Sequence, residues 1–190
     1  MKIYLDFDRT LFNTNAFLDE IYKIVNKYDI SKNIFDKSKL KLKDKGFNIK
    51  LILQEVEKEF SFNHQIYEEM DNLIENSCIF LYNDVLTFLK KLKVKNYEVI
   101  LLTKGNEEFQ KKKIKASKIS NYFDDIIITL KNKGDLDIDY QAIFVDDREK
   151  ELLSILKRHP KKLYYINRSK QNKLDNSQIT TIYSLEDVEL

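Results

Sequence analysis

Short apolar runs alternate along this chain with longer amphipathic stretches, and that rhythm confines it to one class of architecture. Runs rich in Ile, Val, Leu, Tyr and Phe cover residues 2–7, 98–103, 125–129, 142–146, 163–167 and 180–183. Each is bounded by Gly, Asn, Asp or Lys, as strands are. Between most of them the apolar spacing becomes helical. Residues 84–95 set Val85, Leu86, Phe88, Leu89 and Leu92 on one face, and 149–158 turn Leu152, Leu153, Ile155 and Leu156 inward. Residues 107–117 read as a polar, lysine-heavy helix. Strands alternating with helices predict an α/β fold, a doubly wound parallel sheet covered on both faces.

Residues 15–82 break the rhythm and predict helices without a strand. Periodic apolar positions cover 15–28 (Phe17, Leu18, Ile21, Ile24, Val25), 48–60 (Ile49, Leu51, Ile52, Leu53, Val56, Phe60) and 63–77 (Ile66, Tyr67, Met70, Leu73, Ile74). Gly46 punctuates the approach to the second, and Asn63 is the expected N-cap of the third. The expected division is therefore a core of residues 1–14 and 83–190, with a helical block of 15–82 inserted after the first strand. In 190 residues, 3 Gly and 1 Pro leave few breaks in the helices.

Charge and cysteine content narrow the function classes. A formal net charge of +2 does not argue for a nucleic-acid partner. The run Lys111-Lys112-Lys113 with Lys115 and Lys118 lacks the interleaved aromatics that stack on bases, and is expected to fan over a solvated face. A single cysteine, Cys78, forms no intramolecular disulfide and no cysteine-cluster metal site. His64 and His159 lack metal-ligand spacing. No apolar run approaches the ~20 residues of a membrane-spanning helix. Asp6 and Asp8 interrupt the first apolar stretch before a secretory signal could form, so a cytoplasmic location without a membrane partner is expected.

In parallel α/β sheets the ligand crevice lies beyond the carboxyl ends of the strands. Polar clusters fall there on four successive runs: Asp6 and Asp8, Thr103 with Lys104, Lys131 and Lys133 with Gly134, and Asp146 with Asp147. Period-2 geometry points Asp6 and Asp8 to the same side. Carboxylates crowded in this way repel, and a cation or a shared proton relieves them.

In these residues the chain resembles the haloacid dehalogenase superfamily of aspartate-nucleophile phosphohydrolases. Asp6-Phe7-Asp8-Arg9-Thr10 matches its DxDx[T/V] motif, Thr103 its Thr/Ser motif, Lys131 or Lys133 its lysine, and Asp146-Asp147 its terminal acidic motif. Gly134 favours Lys133 by offering a turn beside it, while Lys131 lies nearer the strand end. Arg9 departs from the pattern, since many relatives carry Gly there.

The resemblance implies a Rossmann-like core and an α-helical cap. It also implies Mg²⁺-dependent hydrolysis of a small phosphorylated metabolite through an aspartyl-phosphate. Asp6 is then the nucleophile and Asp8 the acid and base. Asp6, the main-chain carbonyl of Asp8, Asp146 and Asp147 are the expected metal ligands. Thr103, Lys104 and one of Lys131 or Lys133 are the expected phosphate-binding residues. Dehalogenases of the superfamily lack the second aspartate, so Asp8 argues for phosphate over halide. Phosphotransfer, as in a sugar phosphomutase, and an idle domain that binds a phosphorylated ligand are the alternative readings. Asn13 and Asn15, near the first expected hinge, are candidates to face the leaving group.

Overall fold

The computed structural model describes residues 1–170 and 174–190. Its strands are β1 (Lys2–Leu5), β2 (Glu98–Lys104), β3 (Asp125–Thr129), β4 (Ile143–Asp146), β5 (Lys162–Ile166) and β6 (Thr180–Ile182). Its α-helices are α1 (Thr14–Lys27), α2 (Lys32–Lys41), α3 (Ile49–Glu57), α4 (Gln65–Glu75), α5 (Val85–Val94), α6 (Glu107–Ala116) and α7 (Glu149–Leu156). Met1–Asn13, Leu81–Lys104 and Ile119–Leu190 form one compact unit, and Thr14–Phe80 with Gly105–Lys118 form another.

The first unit is an α/β layer structure with a parallel six-stranded sheet in the order β3-β2-β1-β4-β5-β6. The runs expected to be strands all become strands, with ends shifted by a residue or two. Alternation distributes their side chains between two faces. Tyr4, Ile100, Leu102, Phe144 and Leu163 pack on one face with Leu152 and Ile155 of α7, and Tyr4 stacks on Phe144 at 4.7 Å between ring centroids. Ile3, Leu5, Val99, Leu101 and Val145 occupy the alternate positions and are equally buried. Helix α5 packs against β2 and buries Phe88, Leu89 and Leu92. Each such side chain contributes about 1.5–3 kcal/mol of hydrophobic burial.

β1 and β4 sit side by side at the centre, yet the chain leaves β1 for β2 on the other flank. This is the topological switch point, the place at the carboxyl ends of the strands where open parallel sheets bind their ligands.

The second unit is helical. α1 buries Phe17, Ile21 and Val25 and packs on α4, which buries Ile66, Met70 and Ile74. α2 lies against α3. Asn48 caps α3 by accepting from the Leu51 amide at 3.3 Å, and Asn106 caps α6 by accepting from the Phe109 amide at 3.1 Å. The two caps are joined, Asn48 Nδ2 donating to Asn106 Oδ1 at 3.1 Å. Gly46 makes this approach feasible: its φ of 73° is left-handed, and a Cβ there would stand 2.5 Å from the Asn106 nitrogen.

Three details of this unit differ from the sequence reading. Helix α2 was not foreseen, because KNIFDKSKLK buries only Phe35 and Ser38 and shows no apolar stripe. Helix α6 clusters with α4 in this unit, whereas the sequence division placed it with residues 83–190. Lys113 leaves the solvated lysine face and is buried, its Nζ 5.6 Å from the Phe109 ring centroid. Asn63 does act at the start of α4, accepting from the Gln65 amide at 2.9 Å, with His64 as the capping position. No helix among the described residues is long and apolar enough to cross a membrane.

Candidate active site

Strand register places the first two acids of the site. Leu5 of β1 pairs with Val145 of β4, and the Asp6 amide donates to the Val145 carbonyl at 2.9 Å. Asp6 and Asp146 therefore stand one rung further on, on neighbouring strands ~4.8 Å apart. Asp147 follows directly, and oxygens of Asp6, Asp146 and Asp147 lie within 4.8 Å of one another. Asp6 and Asp146 are 5% and 2% exposed, so these carboxylates are withdrawn from water.

Lys133 completes the cluster. It belongs to a single 3-10 turn, Lys133–Asp135, and is 1% exposed. Its Nζ donates to Asp6 Oδ1 and to Asp146 Oδ2, each at 2.6 Å. Lys131 is exposed, so of the two candidate lysines the structure brings Lys133 to the acids. Gly134 permits the placement, because a Cβ there would stand 2.3 Å from the Ser154 carbonyl oxygen of α7.

After Phe7 the chain turns back on itself. The Leu11 and Phe12 amides both donate to the Phe7 carbonyl, and the Arg9 amide donates to the Phe12 carbonyl at 2.7 Å. Asp8, half-buried, and exposed Arg9 ride on this turn. Arg9 adopts a φ of 59°. That left-handed conformation costs a side-chain-bearing residue about 1 kcal/mol and is free for glycine. Its guanidinium lies 3.9 Å from Asp147 Oδ2 at the rim of the cluster.

Thr103 is fully buried near the end of β2, two rungs beyond the Leu5–Leu101 pair. Lys104 is engaged elsewhere, its Nζ donating to Asn132 Oδ1 at 3.1 Å and to Glu151 Oε1 at 3.0 Å. Glu151, absent from the sequence reading, sits 2% exposed on α7. An acid in the first turn of a helix ordinarily serves the dipole, so no local signal marked it.

The electrostatics follow from burial and imbalance. Three carboxylates face one lysine ammonium. Burial pushes the Asp6 carboxyl well above the ordinary aspartate range; Asp146 and Asp147 add to the rise and Lys133 opposes it. Burial, then Asp146, raises Asp147 to about 7, against Arg9, Arg148 and Lys133. Burial works against the Lys133 charge, but Asp146 and Asp6 outweigh it and hold the ammonium protonated far above neutral pH. Such a site gains from one more positive charge. Its hard carboxylate oxygens are the donor set that Mg²⁺ takes, with waters filling the remaining positions. The acids present thus fit a divalent cation.

The family model described as haloacid dehalogenase-like hydrolase matches residues 3–135. No curated protein matches the chain. Solved structures do. A HAD phosphatase from Thermococcus onnurineus is 17% identical, with 98% of this chain and 95% of that one covered and a TM-score of 0.67. A magnesium-bound HAD-hydrolase from Bacillus subtilis, YfnB, is 12% identical, with 97% and 95% covered and a TM-score of 0.62. L-2-haloacid dehalogenase from Xanthobacter autotrophicus, with chloropropionic acid covalently bound, is 11% identical, with 98% and 95% covered and a TM-score of 0.65. At these identities the likeness is one of fold. With the family match spanning more than half the sequence, the chain belongs to the haloacid dehalogenase-like hydrolases.

Proposed function

We propose that this hydrolase is a Mg²⁺-dependent phosphatase that cleaves a small phosphomonoester through an aspartyl-phosphate on Asp6. The observation that carries the reading is the buried cluster of Asp6, Asp146 and Asp147 around the ammonium of Lys133. Asp8, two residues after Asp6, favours a phosphate ester over a halide. The solved relatives include both a phosphatase and a dehalogenase.

Asp6, Asp146, Asp147 and the main-chain carbonyl of Asp8 would hold the cation. When bound, it would neutralise charge so that a phosphoryl group can approach a carboxylate. The chain's own groups carry out the rest. An oxygen of Asp6 attacks phosphorus as the ester P–O bond breaks. Lys133 orients that carboxylate, opposes the burial that favours its protonated form, and offsets charge on the transferring group. Asp8 gives its proton to the departing alkoxide. It then takes one from a water that attacks phosphorus, releasing inorganic phosphate and restoring Asp6. Thr103 donates its hydroxyl to a phosphate oxygen.

The helical unit is assigned as a cap on the ground that its main segment is inserted directly after the Asp6–Asp8 motif. A cap suits a small metabolite better than a polymer. A cytoplasmic setting, which a chain with one cysteine fits, belongs to the same reading.

The test is hydrolysis of p-nitrophenyl phosphate and a panel of phosphorylated metabolites with Mg²⁺. Wild type turns over at least one of them, and Asp6→Asn loses about 10³-fold or more in kcat. Turnover that survives Asp6→Asn refutes the nucleophile. Retention of the phosphoryl group on an acceptor in place of free phosphate identifies a transferase.

A further inference from the structure

Lys133 reaches the acids from a turn outside the sheet, and what fixes that turn is visible. The Lys133 amide donates to Glu151 Oε2 at 2.8 Å. The other oxygen of the same carboxylate accepts from Lys104 Nζ at 3.0 Å, and Lys104 also donates to Asn132 Oδ1 at 3.1 Å. On the far side, the Tyr140 hydroxyl is shared between the carbonyls of Lys133, at 2.9 Å, and Leu136, at 2.7 Å. The Gly134 amide donates to Ser154 Oγ at 3.0 Å, and Ser154 Oγ in turn donates to the Glu151 carbonyl at 2.7 Å.

Glu151 is the node of this network. It is buried in the first turn of α7, shortly after Asp146 at the end of β4 and Asp147, and it grips both β2, through Lys104, and the lysine turn. We infer that Glu151 is a positioning residue that, clamped by Lys104, holds the Lys133 turn so that its ammonium lies between Asp6 and Asp146. The inference rests on the phosphatase reading for its kinetic consequence, though not for its structural one. It also gives Lys104 a role other than phosphate binding.

A buried ammonium held at 2.6 Å from two carboxylates tolerates little displacement, and a shift of about 1 Å in a catalytic group costs on the order of 10²-fold in rate. A residue that acts only through Lys133 has a distinctive signature. Its loss adds nothing once Lys133 is gone, whereas general loosening of the fold adds in both backgrounds.

The experiment is a double-mutant cycle of Lys133→Ala and Glu151→Gln, read as kcat and KM with p-nitrophenyl phosphate, accompanied by a crystal structure of Glu151→Leu. Glu151→Gln lowers kcat about 10- to 100-fold with KM little changed, and has no further effect in the Lys133→Ala background. Lys104→Met, which breaks the clamp from its more exposed side, lowers kcat in the same direction by less. In Glu151→Leu, Lys133 Nζ leaves hydrogen-bond distance of Asp6 or Asp146. Equal losses for Glu151→Gln in both backgrounds overturn the positioning role, as does an unmoved Lys133 in the Glu151→Leu structure. Unchanged kcat in Lys133→Ala, or no turnover in wild type, counts against the phosphatase reading instead. The crystal structure then decides the positioning claim alone.

Discussion

The α/β unit holds two clusters of sequestered charge, and they are built on opposite rules. In one, Arg168 meets Asp84 through two nitrogens, its Nη1 2.6 Å from Oδ2 and its Nη2 3.0 Å from Oδ1. The same guanidinium donates to the Thr10 carbonyl through Nε and Nη2 and stacks 4.2 Å from the Tyr82 ring centroid. Asp84 also accepts from the Leu185 amide and the Ser184 hydroxyl, each at 2.8 Å. One positive charge meets one negative charge, and both are well supplied with partners. In the other, Asp6, Asp146 and Asp147 outnumber the buried Lys133 and the exposed Arg9 at the rim, and negative charge remains in excess. A stability-driven cluster closes its charge balance. The strand-end cluster leaves it open, which is the condition for taking up a cation and a phosphoryl group.

The sharpest way to break the comparison is to remove one partner from the balanced cluster. Arg168→Ala strands Asp84 and releases the Thr10 carbonyl, and should cost about 3 kcal/mol in urea unfolding. A loss under 1 kcal/mol, roughly what an exposed pair is worth, would remove the distinction. The open cluster should answer instead to metal. Mg²⁺ at about 100 times its Kd should stabilise wild type by about 2.7 kcal/mol, and Asp146→Asn should lose most of that gain. Equal stabilisation of both proteins would place the cation elsewhere.

Smaller but more telling is the sign of neutralising one acid in each cluster without metal. Asp147→Asn relieves repulsion and should raise the melting temperature, whereas Asp84→Asn should lower it. The two effects also run oppositely with pH. Although burial works to raise it, Asp84 is held below the ordinary carboxylate range by Arg168, the Leu185 amide and Ser184. Its contribution is therefore present above the unfolded value of about 3.9 and disappears as pH falls through the folded value. Asp147, raised to about 7 by burial and Asp146, instead costs the metal-free protein stability as pH rises from about 4 towards 7. Urea midpoints of the two variants against wild type check both slopes, that of Asp84 below about pH 4 and that of Asp147 between about pH 4 and 7.

The difference between the clusters also marks what could be read in the sequence. Asp6, Asp146 and the core strands were legible because each strand is a compact apolar run, and an acid at its carboxyl end has one topological place to go. The choice of Lys133 over Lys131 was not settled there. Both follow β3 within a few residues, and it is the packing of the turn in three dimensions, with Gly134 close against Ser154, that buries one and leaves the other exposed. Asp84 and Arg168 lie 84 residues apart and carry no motif. Glu151 was hidden for a related reason: its two partners, Lys104 on β2 and Lys133 on the turn after β3, lie 47 and 18 residues away. Pairings that depend on three-dimensional closure leave no period and no spacing to read.

The central claim is that Asp6 carries the phosphoryl group, and acid-quenched mass spectrometry reaches it directly. Enzyme mixed with p-nitrophenyl phosphate and Mg²⁺, or with a better substrate from the metabolite panel, is quenched on the timescale of one turnover and digested. A phosphoryl adduct on the peptide bearing Asp6, lost in Asp6→Asn, is the predicted result. An adduct on another residue, or steady turnover with no adduct at any quench time, would contradict it.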